Sequence, residues 1–93
     1  MYKLKIPDEL VALIRALHPY IKRKIKASLK TILSDPYSGK VLRDELVGLM
    51  SFRVSRLRIV YRISNKKEIE IVAIGPRERI YEKTFQIIKK EGV

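Results

Sequence analysis

Two different spacings of apolar residues divide the chain into a helical first third and a strand-rich remainder. Residues 2–6 alternate between apolar and lysine side chains, which predicts a short strand with one buried face. Apolar residues then recur at helical intervals over residues 10–17 and 19–33, so we expect two helices there. The second helix should end at Asp35-Pro36, because the residue before a proline is disfavoured in a helix. The first third is therefore predicted to be a helical hairpin.

The remainder alternates with the period of a β-strand, after an irregular stretch over residues 37–50. Three consecutive strands and a short helix follow, with predicted ranges of 51–54, 58–63 and 68–74 for the strands, a turn at 64–67, and 77–90 for the helix. This order predicts an α+β fold, in which the N-terminal strand and the helical hairpin pack on one face of a small antiparallel β-sheet and a short helix ends the chain. The pattern does not indicate what covers the other face of the sheet.

Length and composition exclude several classes of protein. The 93 residues make one domain, 1–93, without linkers or repeats. There are no cysteines, which excludes disulfides, thiolate metal sites and cysteine nucleophiles. No segment is apolar enough to span a bilayer and the N-terminus has no apolar signal region, so we expect a cytoplasmic protein.

The charge indicates the kind of partner. The chain has 21 Lys and Arg against 10 Asp and Glu, which gives a formal net charge of +11. A small domain with this charge concentrates polyanions, so nucleic acid or an acidic protein is the expected partner. A solvated basic surface without a partner is the alternative. A membrane surface is not favoured, because no helix combines a bulky aromatic apolar face with a basic one.

The strands on either side of Ser55-Arg56 place two arginines opposite each other. If these two residues form a tight turn, Arg53 faces Arg58 across the hairpin. Alternation then gives one apolar face, with Phe52, Val54, Leu57, Ile59 and Tyr61, and one basic face, with Arg53, Arg58, Val60 and Arg62. Like charges directly opposite each other destabilise a sheet, which predicts an anion between them. The alternative is that both arginines extend into water.

A second basic cluster follows the last strand. Arg77 and Arg79 stand at the predicted sheet edge, and Tyr81 lies about one helical turn further on. The alternative is that Tyr81 docks the last helix while the charges form weak surface pairs.

Together, the two clusters suit RNA cleavage by the 2′-hydroxyl, in which arginine stabilises the negative phosphate. A tyrosine transfers the proton if nearby positive charge lowers its pKa from about 10. No metal or cofactor is expected.

Other kinds of site are poorly supported. The single histidine, His18, adjoins a helix-breaking proline and is expected to be an exposed turn residue. Asp44-Glu45 lie in the irregular stretch and are expected on the surface. No glycine-rich phosphate loop and no GxSxG elbow occur in the sequence.

Two segments carry a family resemblance. Residues 51–63, SFRVSRLRIVYRI, and residues 74–81, IGPRERIY, are similar to the RelE/ParE superfamily of bacterial and archaeal toxins. The resemblance extends to the hairpin ending in Asp35-Pro36 and covers essentially the whole chain. It implies a toxin of a type II toxin–antitoxin pair, and RelE-like members cut mRNA in the ribosomal A site without a metal. The expected partners are mRNA, the ribosome and an acidic antitoxin.

The resemblance also implies roles for individual residues. By position, Arg58 and Arg77 stabilise the phosphate, and Tyr81 transfers a proton or stacks on a base. Arg53 stands where the family has a lysine, and Ser55 where it has a second lysine, so one candidate proton donor or charge is missing. Further contacts to RNA or the ribosome are predicted for the remaining basic residues, namely Arg56, Arg62, Arg79, Lys22, Arg23, Lys26 and Lys30.

Two other functions stay open. ParE-like members share the fold but inhibit DNA gyrase, are not nucleases, and generally lack the complete arginine–tyrosine set. Arg58, Arg77 and Tyr81 therefore favour the ribonuclease. Ser55 also leaves open a catalytically degenerate basic binding module.

Overall fold

The computed structural model describes residues 2–64 and 67–91. In chain order its elements are β1 (Lys3–Lys5), α1 (Asp8–Ala16), α2 (Pro19–Ser34), β2 (Lys40–Val41), a 3₁₀ turn (Asp44–Leu46), β3 (Met50–Val54), β4 (Leu57–Ile63), β5 (Glu68–Pro76) and α3 (Arg77–Glu91). This confirms the predicted α+β fold, and the irregular stretch proves to hold β2 and the 3₁₀ turn. The predicted turn at 64–67 lies partly outside the described residues. Each helix in the described part of the chain is too short or too polar to cross a bilayer.

The five strands form one sheet in the order β1-β5-β4-β3-β2. Strands β2 to β5 are antiparallel, as expected, but β1 runs parallel to β5, with Lys3 paired to Glu68 and Lys5 to Glu70. The sheet is therefore mixed rather than wholly antiparallel. Side-chain alternation identifies a strand but does not encode the direction of a partner so distant in the chain.

The β3–β4 hairpin has the predicted register. Arg53 pairs with Arg58 and Val54 with Leu57, so Ser55 and Arg56 are the two turn residues. Ser55 has a φ of 58°, in the left-handed region that the first position of a two-residue hairpin turn requires. This conformation is uncommon for serine and lets the strands twist together without an extra residue.

The helical hairpin covers one face of the sheet. The apolar stripes of α1 and α2, including Leu10, Ile14, Ile25 and Ile32, pack against the inward side chains of β3, β4 and β5. Tyr61 is fully buried in this first core cluster. The predicted placement of the hairpin is therefore confirmed.

Helix α3 covers the opposite face of the sheet, for which the apolar pattern did not predict a partner. It spans 15 residues and ends one residue beyond the predicted range of 77–90. Ile80 packs with Val60, Val72 and Ala73 in a second core cluster. Thr84 is also fully buried, and its hydroxyl donates to the Ile80 carbonyl at 2.7 Å, which satisfies the polar group. The end of this face nearest the hairpin turn is lined by arginine side chains.

One buried tyrosine fixes the loop that leads into β2. The Tyr61 hydroxyl donates to the Pro36 carbonyl at 2.7 Å and accepts the Gly39 N–H at 3.2 Å. Burial raises the pKa of Tyr61, and hydrogen bonds from the loop only partly oppose this. A Cβ atom on Gly39 would lie 2.6 Å from the Tyr61 hydroxyl oxygen, so the close approach requires glycine.

Candidate functional site

A groove of about 310 Å³ lies where the β3–β4 turn meets the start of α3. We call it the arginine groove, and its lining residues are Arg53, Ser55, Arg56, Leu57, Arg58, Arg77 and Glu78. Strand β5 runs beside β4 up to the Leu57–Pro76 pair, and the Arg77 N–H donates to the Arg56 carbonyl at 3.3 Å. These contacts hold the first residue of α3 against the hairpin turn, so the two predicted basic clusters meet.

Arg58 lies at the base of this groove. Its Nη1 donates to the hydroxyl of Ser51 at 3.2 Å, and Ser51 itself is only 1% exposed. The Arg58 Nε is buried and has no hydrogen-bond partner among the described residues. The hydrogen bond to Ser51 therefore holds the Arg58 guanidinium in place at the base of the groove.

The other arginines form the walls. Arg53, Arg56 and Arg77 are exposed, and the Arg53 Nε donates to the Ser55 carbonyl at 3.3 Å. Glu78 is the one carboxylate among the residues that line the groove. Four guanidinium groups against one carboxylate leave the groove strongly positive. The arrangement suits a phosphate, because guanidinium groups bind its oxygens in pairs.

Tyr81 is not in the arginine groove. It lies one turn further along α3, is half-buried, and packs against the second core cluster. Tyr81 lines a separate groove of about 480 Å³, which we call the tyrosine groove, with Lys40, Leu42, Arg43, Asp44 and Leu46. The sequence correctly places Tyr81 one helical turn from Arg77. The rotation between successive residues of α3, however, points the phenol ring toward the 3₁₀ turn and not toward the arginines.

Arg62 is also separate from the groove. It lies on the same sheet face at the far end of β4, where its guanidinium forms ion pairs with Glu70 and, at 3.2 Å, with Glu91 of α3. Burial lowers the pKa of Arg62, but the two carboxylates outweigh this and raise it. These pairs tie the last turn of α3 to the sheet.

The remaining predicted contacts are dispersed. Arg79 is exposed and does not line the arginine groove. The basic residues of α2, Lys22, Arg23, Lys26 and Lys30, belong to the helical hairpin on the opposite side of the sheet. They extend the positive surface without entering the groove.

His18 has a structural role. It is exposed, as expected for a turn residue, and its Nδ1 accepts the Tyr20 N–H at 3.2 Å as the N-cap of α2.

Ser51 is the residue that the sequence analysis missed. The available signal was its spacing of two from Arg53, which puts both side chains on the basic face. Within residues 2–64 and 67–91, no group of three or more His, Asp or Glu side chains could hold a metal ion.

A sequence model of one protein family matches most of the chain. The family is described as the ParE toxin of type II toxin–antitoxin system, parDE, and the match spans residues 4–81. The chain belongs to this toxin family. No curated protein matches the chain. The toxin identity implied by the resemblance is confirmed.

Solved structures with the same fold are RelE toxins. A mutant of the E. coli toxin RelE in the free state superposes with a TM-score of 0.75 at 20% identity, covering 99% of this chain and 98% of that one. Toxin–antitoxin complexes also match at 25% identity. The RelBE complex from Mycobacterium tuberculosis has a TM-score of 0.70 and covers 82% and 98% of the two chains. The archaeal RelE–RelB complex from Pyrococcus horikoshii has a TM-score of 0.68 and covers 84% and 97%.

Proposed function

We propose that this toxin cleaves mRNA on the ribosome and that the arginine groove is the site of cleavage. One observation carries the proposal. Four guanidinium groups, from Arg53, Arg56, Arg58 and Arg77, line a single groove together with one carboxylate, that of Glu78. Such a groove suits the charge that develops on a phosphate during cleavage. The structural similarity to RelE toxins supports this function.

The reaction requires a proton transfer as well as charge stabilisation. The 2′-oxygen forms a bond to phosphorus while the bond from phosphorus to the 5′-oxygen breaks. The 2′-hydroxyl loses its proton and the 5′-oxygen gains one, which leaves a 2′,3′-cyclic phosphate and a 5′-hydroxyl. Arg58 from the base, with Arg53 and Arg77 from the walls, neutralises the non-bridging oxygens.

The groove offers one group for accepting the proton. Arginine stays charged at all relevant pH values, whereas the Glu78 carboxylate lines the same groove and accepts protons. Tyr81, in the tyrosine groove, suits the other role that the family resemblance implies, which is stacking on a base. We therefore assign the proton acceptor to Glu78 and base contact to Tyr81.

The decisive assay is cleavage of mRNA on programmed ribosomes in the presence of a chelator. Arg58→Ala and Arg77→Ala should each lower the cleavage rate by about a hundredfold, as for the loss of one transition-state donor. Glu78→Gln, which keeps the size of the side chain, should lower it by about a hundredfold. Lys83→Ala removes an exposed cation of α3 outside the groove and should leave the rate within about threefold. Full activity of Arg77→Ala, or no cleavage with the chelator, would refute the proposal.

Inhibition of DNA gyrase is the second candidate. It is favoured by the match to the ParE toxin family and by the separation of Tyr81 from the arginines. A gyrase inhibitor would block supercoiling in vitro and leave ribosome-bound mRNA intact. A toxin without either activity would be harmless to cells when produced without its antitoxin, which is the outcome expected of a degenerate binding module.

A further inference from the structure

Helix α3 carries one row of residues at intervals of four. Arg77, Tyr81, Phe85 and Lys89 follow one another at this spacing. Residues four apart lie on the same side of a helix, about 6 Å apart along its axis, so the four side chains form one continuous ridge. We call it the α3 ridge. It begins at the arginine groove, passes the tyrosine groove and ends about 18 Å from its start.

The middle of the α3 ridge is aromatic. Tyr81 packs against the second core cluster and also lines the tyrosine groove. Phe85 is 37% exposed and, among the described residues, belongs to neither core cluster. One exposed phenylalanine is ordinary, but here a second aromatic ring stands one helical turn away on the same ridge. Surfaces that bind single-stranded RNA stack successive bases on aromatic side chains in this way.

The two ends of the α3 ridge are cationic. Arg77 and Lys89 are exposed, and neither forms an ion pair within the part of the chain that the structure describes. Beside Tyr81, the tyrosine groove adds two cations, Lys40 and Arg43, against the single carboxylate of Asp44. The ridge therefore combines base-stacking rings with positive charge, which is the combination that a single-stranded polyanion requires.

The row of α3 that starts one residue later has a different charge. Residues 78, 82, 86 and 90 are also four apart, and the first two are Glu78 and Glu82. Both glutamates are exposed and repel phosphate groups. A polyanion that leaves the arginine groove along α3 is therefore directed to the α3 ridge and to the side that faces the 3₁₀ turn.

We propose that the α3 ridge binds the single-stranded RNA that continues from the arginine groove. Bases stack on Tyr81 and Phe85, and Lys89 pairs with a phosphate beyond them. The inference rests on the proposed function, because that function places RNA in the arginine groove, and it adds Phe85 and Lys89 to the binding site. Stacking on aromatic rings tolerates every base, so the ridge contributes affinity without sequence preference.

The test measures binding of labelled RNA by fluorescence anisotropy. The probes are oligomers of 2′-O-methyladenosine with two and with six nucleotides, in which the methyl group blocks the attacking oxygen and prevents cleavage. The dimer, held in the arginine groove, is too short to reach Phe85 and Lys89, whereas the hexamer can cover the ridge. We expect the hexamer to bind at least about tenfold more tightly. Equal affinities would overturn the proposal.

The charge at the end of the ridge is tested with a matched pair of variants. Lys89→Glu and Lys90→Glu change adjacent exposed residues, and each lowers the net charge by two, from +11 to +9. Lys89→Glu should weaken the hexamer by about fivefold or more and lower the salt dependence of its affinity by about 0.7, the value for one phosphate contact of a single strand. Lys90→Glu should change neither, and binding of the dimer should respond to neither variant. Equal losses of hexamer binding would show that net charge alone attracts RNA, and the proposal would be wrong.

The aromatic part of the ridge has its own test. Phe85→Leu keeps an apolar side chain but removes the ring, and should weaken the hexamer by about tenfold without affecting the dimer. Tyr20→Leu, at a tyrosine of α2 that is 53% exposed, is the control and should affect neither probe. If Phe85→Leu binds the hexamer as wild type does, no base stacks on this residue and the proposal fails. Thermal denaturation checks that each variant is folded. If Phe85→Leu does not fold, the comparison of Lys89→Glu with Lys90→Glu decides, since both lysines are exposed.

These binding measurements separate the α3 ridge from the cleavage proposal. If the hexamer depends on Phe85 and Lys89 while mRNA on ribosomes stays intact, the ridge is an RNA site and the proposed cleavage is wrong. If wild type cleaves mRNA but the two ridge variants bind the hexamer as their controls do, the ridge proposal alone is refuted.

Discussion

Removing one hydroxyl group, in Tyr61→Phe, tests how the loop before β2 is fixed. The hydroxyl donates to the Pro36 carbonyl at 2.7 Å and accepts the Gly39 N–H at 3.2 Å. Phenylalanine fills the same space but leaves both backbone groups without this partner. Pro36 is buried, so its carbonyl cannot turn to water, whereas the half-buried Gly39 can be hydrated.

The expected loss follows from these two environments. A buried polar group left without a partner costs about 1–3 kcal/mol, and a hydrogen bond that water can replace contributes about 0.5–1.5 kcal/mol. We therefore expect Tyr61→Phe to lower the free energy of unfolding by about 2 kcal/mol. For a domain of this size, such a loss lowers Tm by about 8–16 °C.

Urea denaturation followed by circular dichroism measures the change. Tyr37→Phe is the matched control, because the same hydroxyl is removed from a side chain that is 69% exposed. Its free energy of unfolding should stay within about 0.5 kcal/mol of wild type. If the two substitutions have equal effects, the hydrogen bonds of Tyr61 do not fix the loop and the reasoning fails.

Four further predictions concern the same regions. Burial raises the pKa of Tyr61, so the stability that its neutral form provides is full below about pH 10 and is lost as the pH rises through the folded pKa; alkaline denaturation should be steeper for wild type than for Tyr61→Phe. Gly39→Ala should destabilise by about 1–3 kcal/mol in urea, because its Cβ would lie 2.6 Å from the tyrosine oxygen. Ser51→Ala removes the acceptor of Arg58 Nη1 and should weaken binding of an RNA dinucleotide about tenfold while lowering the free energy of unfolding by about 1 kcal/mol, and Ser51→Thr, which keeps the hydroxyl, should restore the binding. His18→Ala removes the N-cap of α2 and should cost about 1 kcal/mol in thermal denaturation, whereas His18→Asn should not.

The hairpin at the centre of the candidate site was predictable from sequence because its register follows from local rules. Once Ser55 and Arg56 are taken as the turn, the two-residue period of a strand sets Arg53 opposite Arg58. The helical stripes of α1 and α2 are equally local, since they depend only on spacing along one segment. These features gave the α+β class and most of the arginine groove.

Non-local features were not predictable. Nothing near residues 3–5 encodes a parallel partner at residues 68–70, and nothing near Tyr61 indicates a hydrogen bond to Pro36. The sequence analysis recognised the apolar residues of α3 but not the sheet face that they contact. It therefore did not predict that α3 covers that face. Tyr81 was placed correctly along α3, but which groove it enters depends on how the whole helix is rotated against the sheet.

The pairing of β1 with β5 has a consequence for how the chain folds during its synthesis. A chain is synthesised from its N-terminus, and β1 must wait for residues 68–70 before its edge is paired. The arginine groove likewise needs Arg77, so no shorter nascent chain contains it. Completion of the fold is thus delayed until most of the chain has left the ribosome that made it. A nascent toxin therefore lacks its candidate site until Arg77 has been added and has packed against the hairpin turn.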